Sequence, residues 1–199
     1  MNESPLVLTA PELTRLLYRL DACPEAHEWV YRNPHLNSLD LYAQAGAGWI
    51  IWFGAMFGRP EALGVVCELA VRWLTAQPQA DVEIVAALQL VGVVVRWRRG
   101  EESQESLRAA LTAVNEGWLH PDHGGSAARH LARCVVQAAW AIDQDEPEAS
   151  ASWADDAVKA MRYGAPLDAQ VATDLARRHL PYDVLAACVR PIWTAIRGG

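Results

Sequence analysis

The sequence predicts an all-α protein of about nine or ten helices, arranged as a globular or loosely solenoidal antiparallel array. Two observations favour this class. Apolar residues recur at helical spacing through most of the chain, and proline, glycine or capping residues separate these runs at short intervals. No segment alternates apolar and polar residues convincingly over the length of a strand. A length of 199 residues with 52% hydrophobic residues suits one domain spanning residues 1–199.

The N-terminal part of the chain predicts two amphipathic helices. The first begins at Thr9, because a threonine followed three residues later by Glu12 matches a capping box. Leucines then recur on one face. The second helix begins at Pro24, since proline suits the first helical position. It ends at Asn33, because the proline that follows disfavours the helical conformation there.

Residues 48–58 form the most apolar run of the chain, and Asn37 with Ser38 predicts the cap of the helix that leads into it. The run has no polar stripe, which predicts a helix enclosed by other helices. It is about 11 residues long, too short for a bilayer span of about 20 residues. Gly58, followed by an arginine and a proline, predicts the end of this helix.

Two longer helices are predicted next, over residues 60–75 and 81–99. The second contains a β-branched run at 91–95 that could also be interpreted as a strand. We favour a helix because the segment begins with acidic residues and ends with arginines beside Gly100, as the helix dipole prefers. Further helices are predicted at 103–116, 126–144, 147–163 and 167–179, and the last begins at Pro181.

Composition narrows the function classes. The formal net charge of −7 makes a nucleic-acid backbone an unfavourable partner and a basic protein a natural one. The four cysteines are spread along the chain without a CxxC pair, which argues against a closed zinc site or a disulfide scaffold and favours buried, reduced thiols. The N-terminus lacks a basic and apolar leader, so a cytoplasmic protein with no membrane segment is expected.

Residues 120–130 supply the strongest catalytic candidates. Three histidines and one aspartate lie there, namely His120, Asp122, His123 and His130. Such residues could bind a transition metal, or His123 could act as a general base beside Asp122. The spacing matches no zinc signature, and ordinary turn residues surround the group. No metal or cofactor is therefore predicted, and a metal-dependent enzyme stays an alternative.

Two further pairs have a structural explanation that we prefer. Asp155 and Asp156 are similar to half of an acidic magnesium motif, but the second acidic cluster is missing, so a solvated helix face explains them better. Cys23 and His27 lie four residues apart on a helix and could form a thiolate–imidazole pair. Neither has an identifiable orienting group, so packing is the default.

Charge is concentrated in one third of the chain. Residues 101–156 contain eleven acidic residues against three arginines. An acidic surface of this kind can steer a basic partner and discourage wrong ones. The alternative is that these carboxylates only keep an alanine-rich helical protein in solution.

Several segments together carry a family resemblance: ACPEAHEW at 22–29, LDLY at 39–42, GWIIW at 48–52, the alanine-rich stretch 127–160 and LAACVR at 185–190. With this pattern the chain resembles the immunity proteins of bacterial polymorphic toxin systems and their phage-encoded all-helical relatives. The matched positions cover about a third of the chain.

The resemblance implies a non-enzymatic protein that neutralises a cognate toxin through protein–protein contact. Its acidic surface would cover the active cleft of a basic toxin domain, such as a nuclease, with carboxylates in the place of phosphates. We expect the contact set to be Asp143, Asp145, Glu146, Glu148, Asp155 and Asp156. A third class is an oligomeric scaffold that associates through exposed tryptophans such as Trp97, Trp118 or Trp153.

Overall fold

The computed structural model of the chain describes residues 6–78, 80–116, 126–162 and 167–198, and within these ranges it contains eleven α-helices and no β-strand. The all-α prediction is therefore confirmed, whereas the expected count of nine or ten helices is too low. The helices are α1 (Ala10–Arg19), α2 (Pro24–Arg32), α3 (Ser38–Gln44), α4 (Ala47–Met56), α5 (Pro60–Thr75), α6 (Val82–Arg98), α7 (Gln104–Glu116), α8 (Ala127–Asp143), α9 (Pro147–Ala160), α10 (Ala169–His179) and α11 (Tyr182–Gly198).

The helices divide between two compact units. Unit 1 consists of Met1–Ala45 and Leu180–Gly199, and unit 2 consists of Gly46–His179. Helices α1–α3 and α11 thus belong to unit 1, and α4–α10 belong to unit 2. The organisation of the chain as one domain stays a prediction.

The contact between α8 and α9 is the most extensive between two helices of unit 2. Helix α8 also packs against α5, α6 and α7, and α9 against α4 and α5. Both members of the pair bury many alanines, among them Ala138 and Ala139 on α8 and Ala154 and Ala157 on α9. Because interaxial distance depends on the side chains at the contact, small residues let two helices pack closely. The buried alanines of this stretch thus lie on the two helices that make the most extensive contact in unit 2.

One predicted helix is divided in the structure. The sequence predicts continuity from Asn37 into the apolar run, but the chain leaves the helical conformation after Gln44, and α4 starts afresh at Ala47. Ala45 is extended, with ψ of 136°, and Gly46 is the N-cap of α4. Glycine is a poor interior helix residue and a favourable N-cap, which explains the break.

Helix α4 is also less enclosed than the sequence predicts. Ile50, Ile51 and Ala55 are buried, whereas Trp49 and Trp52 are half-buried. The helix packs against α9, α10 and α5 within unit 2. Its aliphatic side chains are buried in this packing, whereas its two tryptophans are partly exposed. Within the described ranges, none of the helices has both the length and the apolar character to cross a membrane.

Helix α6 confirms the choice of helix over strand for the β-branched run. Its N-cap is Asp81, whose carboxylate accepts a hydrogen bond from the Glu83 amide at 2.8 Å. Its last turn carries Arg96 and Arg98. Favourable charges at both ends of the helix thus outweigh the modest strand preference of the valines.

Four helices end with one residue in the left-handed backbone conformation, with φ of 49°, 62°, 73° and 58° at Asp21, Gly58, Gly100 and Asp145 respectively. After α8, the Asp145 amide donates to the Ile142 carbonyl at 3.1 Å, and the Glu146 amide donates to the Ala141 carbonyl at 2.8 Å. These two bonds define a Schellman motif. The predicted helix end at Gly58 is confirmed, while the two aspartates hold a conformation that glycine adopts at lower cost.

Replacing either left-handed aspartate by glycine should stabilise the protein. We expect Asp145→Gly and Asp21→Gly each to raise the free energy of unfolding by about 0.5–1 kcal/mol, because the steric cost of a side chain at positive φ is removed. Gly58→Ala should lower it by about 1 kcal/mol for the converse reason. Urea titration followed by circular dichroism measures all three.

A matched control is Gly48→Ala. Gly48 lies within α4, and the nearest atom to a Cβ built on it is the Asp155 Oδ1 at 3.4 Å, an ordinary contact. This substitution should cause no loss of stability, since alanine is the better helix former. A loss of stability on Asp145→Gly would show that the carboxylate contributes more than its backbone conformation costs.

In unit 1, a chain of hydrogen bonds ties the segment before α1 to α3 and α11. The Tyr182 hydroxyl donates to the Leu6 carbonyl at 2.6 Å and lies 2.6 Å from the Ser38 Oγ. The Ser38 Oγ in turn accepts from the Leu8 amide at 2.8 Å. Burial raises the pKa of the Tyr182 phenol above its ordinary value of 10.0. The neutral phenol is therefore the form that holds this connection.

Tyr182→Phe removes this connection while it keeps the ring. We expect the free energy of unfolding to fall by about 1–2 kcal/mol, because the half-buried partners lose a hydrogen bond without replacement. Tyr31→Phe is the control, since Tyr31 is 84% exposed and its hydroxyl is hydrated either way. Equal stability of the two variants, measured by thermal unfolding, would contradict a structural role for the Tyr182 hydroxyl.

Candidate functional site

The six predicted partner-binding residues lie at two places in unit 2. Four surround the short connection between α8 and α9, and we call them the acidic turn: Asp143, Asp145, Glu146 and Glu148. Asp155 and Asp156 lie farther along α9. Glu148 and Asp155 are seven residues apart, so they share nearly one face of α9 with a rise of about 10 Å between them. The structure thus groups four of the six closely and places two at a distance along the helix.

Three carboxylates of the acidic turn are exposed to solvent: those of Asp145, Glu146 and Glu148. Within the described part of the chain, no ion pair engages any of the three. The first turn of α9 tolerates this charge because a helix N-terminus favours negative groups. The Schellman motif holds the connection in one backbone shape. The result is a compact, preorganised group of uncompensated negative charges.

Asp143 has a different role in the acidic turn. It is half-buried, and its Oδ2 accepts hydrogen bonds from the Gln104 Nε2 at 2.6 Å and the Gln144 Nε2 at 2.8 Å. Gln104 is the first residue of α7. The Asp143 carboxylate therefore connects the end of α8 to α7 and supports the position of the exposed carboxylates.

The two aspartates on α9 share one cation. Lys159 Nζ lies 2.6 Å from an Asp155 oxygen and 3.9 Å from an Asp156 oxygen. Both aspartates are half-buried, and Asp155 also approaches Gly48 on α4. Lys159 therefore partly neutralises Asp155 and Asp156, whereas among the described residues no cation neutralises the exposed carboxylates of the acidic turn. The exposed face of α9 is thus acidic mainly at its N-terminal end.

Of the histidine region, only His130 falls within the described residues. His120, Asp122 and His123 lie outside them, as does Trp118. His130 belongs to the first turns of α8, and its Nε2 lies 3.7 Å from the Sγ of Cys134 one turn later. Sequence reasoning missed this pair, although the spacing of four residues on a helix was the available signal.

The Cys134 thiol is held in its neutral form. Burial raises its pKa to about 12, and the carboxylate of Asp156 on α9 adds to that increase while Arg133 opposes it. Since the thiolate is the nucleophilic form, a thiol of this kind is inert near neutral pH. The Arg133 guanidinium lies 5.6 Å from the centre of the Trp153 ring. Arg133 and Cys134 of α8 therefore both lie near residues of α9.

The second cysteine–histidine pair, Cys23 and His27, lies at the start of α2. Cys23 is the N-cap of α2 and is exposed, which makes the expectation of buried thiols wrong for this residue. Burial of the sulfur still raises its pKa. The His27 ring packs on the Tyr18 ring with 4.2 Å between centroids. In the ranges that the structure covers, no three His, Cys, Asp or Glu side chains are placed to hold a metal ion.

Two of the three tryptophans proposed for self-association lie within the described residues, and neither is fully exposed. Trp97 and Trp153 are both half-buried. The large apolar side chains that reach solvent include instead Tyr18, Tyr31 and Val82, at 71%, 84% and 79% exposure. Helical spacing alone could not distinguish these positions, because exposure depends on which helices cover each face.

Comparison of the chain with protein-family models, with curated proteins and with solved structures finds no match.

The four cysteines should differ sharply in their reaction with iodoacetamide at pH 8. Burial raises the pKa of the Cys67 and Cys134 thiols to about 12. At pH 8, therefore, only on the order of one thiol in ten thousand is ionised at either position. We expect rapid labelling of Cys23 alone, with partial labelling of the half-buried Cys188, as read by peptide mass spectrometry. Denatured protein, in which all four react, is the control. Rapid labelling of Cys134 in the native protein would show that this thiol is a reactive nucleophile.

Proposed function

We propose that this chain is a cytoplasmic, non-catalytic binding protein that neutralises a basic toxin through the acidic face at the α8–α9 connection. The observation that carries the proposal is the exposed, unpaired group of Asp145, Glu146 and Glu148 on a fixed backbone. The resemblance to immunity proteins of polymorphic toxin systems supports the choice of partner.

The physical basis of recognition is electrostatic. Several like charges on one short connection produce a field that accelerates the encounter with a basic surface and opposes the approach of acidic ones. The Schellman motif and the Asp143 hydrogen bonds hold the connection before a partner arrives. Less conformational freedom is then lost on binding, which favours affinity.

Within the six-residue contact set, the acidic turn should contribute most. Asp155 and Asp156 already interact with Lys159, so a partner would gain less from them. A basic cleft that accepts the exposed carboxylates would be blocked by the ends of two helices, which is the mode of inhibition that we propose.

The first test is affinity capture of the tagged chain from its source, followed by native mass spectrometry at low and moderate salt. We expect one basic protein at fixed stoichiometry, released as salt increases, because the contact is between opposite charges. A chain that carries only a stoichiometric metal ion, or only a second copy of itself, would contradict the proposal.

The second test measures association rates with the captured partner. The triple neutralisation Asp145→Asn, Glu146→Gln and Glu148→Gln should lower the association rate about tenfold or more and flatten its dependence on salt. Asparagine is chosen at 145 because it tolerates positive φ. The control triple Glu25→Gln, Asp174→Asn and Asp183→Asn removes the same charge from exposed positions elsewhere. Equal rates for the two triples would show that the partner binds another surface.

A further inference from the structure

Helix α6 has an apolar face that is open to solvent. Its inward face is buried through Ile84, Ala87, Val91 and Val94, and it packs against α5, α7 and α8. The opposite face carries side chains that are exposed or, for Val93, half-buried: Val82, Val85, Ala86, Gln89, Val93 and Arg96. Val82 and Val85 are 79% and 41% exposed. Valine and alanine side chains are therefore exposed to solvent at positions where a surface helix usually has charged residues.

The sequence of α6 departs from the usual pattern in the same way. From Val82 to Val95, Glu83 and Gln89 are the only polar residues, so the helix is apolar around most of its circumference. A helix of this composition is normally covered on more than one side. A contiguous exposed apolar face is a common mark of a protein–protein contact.

Charge at the two ends of α6 is of opposite sign. The N-terminal end carries the exposed carboxylate of Asp81, and Glu83 is already paired with Arg129 at 2.9 Å. The C-terminal end carries the guanidinium groups of Arg96, Arg98 and Arg99. Arg96 pairs with Glu102 at 3.0 Å, and Arg98 donates to the Pro60 carbonyl at 3.1 Å. The helix dipole is positive at the N-terminus and negative at the C-terminus, so it stabilises the carboxylates at one end and the guanidinium groups at the other.

From this face and these charges we propose that α6 docks against α6 of a second copy of the chain, antiparallel across a two-fold axis at Gln89. In this register Val85 faces Val93 of the other copy, and Val82 faces the aliphatic stem of its Arg96. The same arrangement brings Asp81 of each copy towards the basic end of the other. Antiparallel pairing therefore satisfies the apolar face and both charged ends at once, whereas a parallel pair would bring like charges together.

The expected association is weak and depends on concentration. Helix α6 has 17 residues and is thus about 25 Å long. A pair of such helices buries less than the roughly 1,600 Å² of a standard stable interface. We therefore expect monomer and dimer to exchange in the micromolar range. This inference does not rest on the proposed function, because it concerns the isolated chain and a different surface.

Sedimentation velocity over a concentration series of the full chain tests the inference. Wild-type protein should show a reversible monomer–dimer equilibrium. Both Gln89→Glu and Gln89→Arg should raise the dimer dissociation constant at least about tenfold, because either charge meets its own copy at a two-fold axis. Sensitivity to both signs at one position identifies the symmetry of the contact as well as its place.

Exposed valines supply the matched control. Val85→Arg places a charge in the proposed contact and should weaken the dimer, whereas Val171→Arg alters a valine of equal 41% exposure on α10 and should not. Asp81→Asn keeps a favourable N-cap while it removes the charge, so it should weaken the dimer at low salt and have little effect at high salt. Circular dichroism verifies that each variant is folded.

Wild-type protein that stays monomeric at several hundred micromolar would overturn the inference, and the face would then belong to a different partner. A dimer that responds equally to Val85→Arg and Val171→Arg would also overturn it. A dimer that Gln89→Glu disrupts would confirm it, whatever the outcome of toxin capture.

Discussion

The packing of α8 against α9 is the constraint on which the rest of unit 2 depends. Alanines such as Ala139 and Ala157 are buried in these helices, so larger residues at these positions would overpack the core of unit 2. Because α8 also packs on α5, α6 and α7, its position determines where three other helices lie. The same pair sets the acidic turn at one end and the His130–Cys134 contact near the other.

At the α8–α9 connection, Asp145 carries a negative charge and also adopts the left-handed backbone conformation that ends α8. The chain uses glycine for the left-handed position after α4 and α6 but aspartate after α8. Asp21 has the same conformation after α1, so the geometry alone does not indicate a binding site. What distinguishes Asp145 is its position beside two further exposed carboxylates, Glu146 and Glu148. A residue that is suboptimal for stability yet contributes to a charged cluster is consistent with a functional constraint.

The two proposed contact surfaces depend on different kinds of interaction. The acidic turn would bind through charge, which favours fast encounter and responds to salt. The α6 face would bind mainly through apolar burial, with charge setting the direction of pairing. They lie on different helices of unit 2. The neutral variants of the acidic turn and the charged variants of Gln89 distinguish the two surfaces.

Much of the local structure followed from local signals. The Thr9 amide donates to the Glu12 carboxylate at 2.9 Å, as the capping pattern predicts, and helix α6 forms despite its valines because its ends carry the favourable charges. The end at Gly58 was predictable for the same reason: these signals act within one or two turns of the chain. The division of residues 37–56 was missed because Gly46, which precedes the apolar run at 48–58, was not recognised as an N-cap.

The sequence by itself determined the all-α class, most helix ends and the concentration of acidic residues, because each depends on neighbours within a few positions. Only the tertiary structure decided which faces are covered. It brought Asp156 near Cys134, left the valine face of α6 exposed to water and left Trp49 and Trp52 of α4 only half-buried. Burial and long-range contact depend on helices distant in sequence, so no local pattern specifies them.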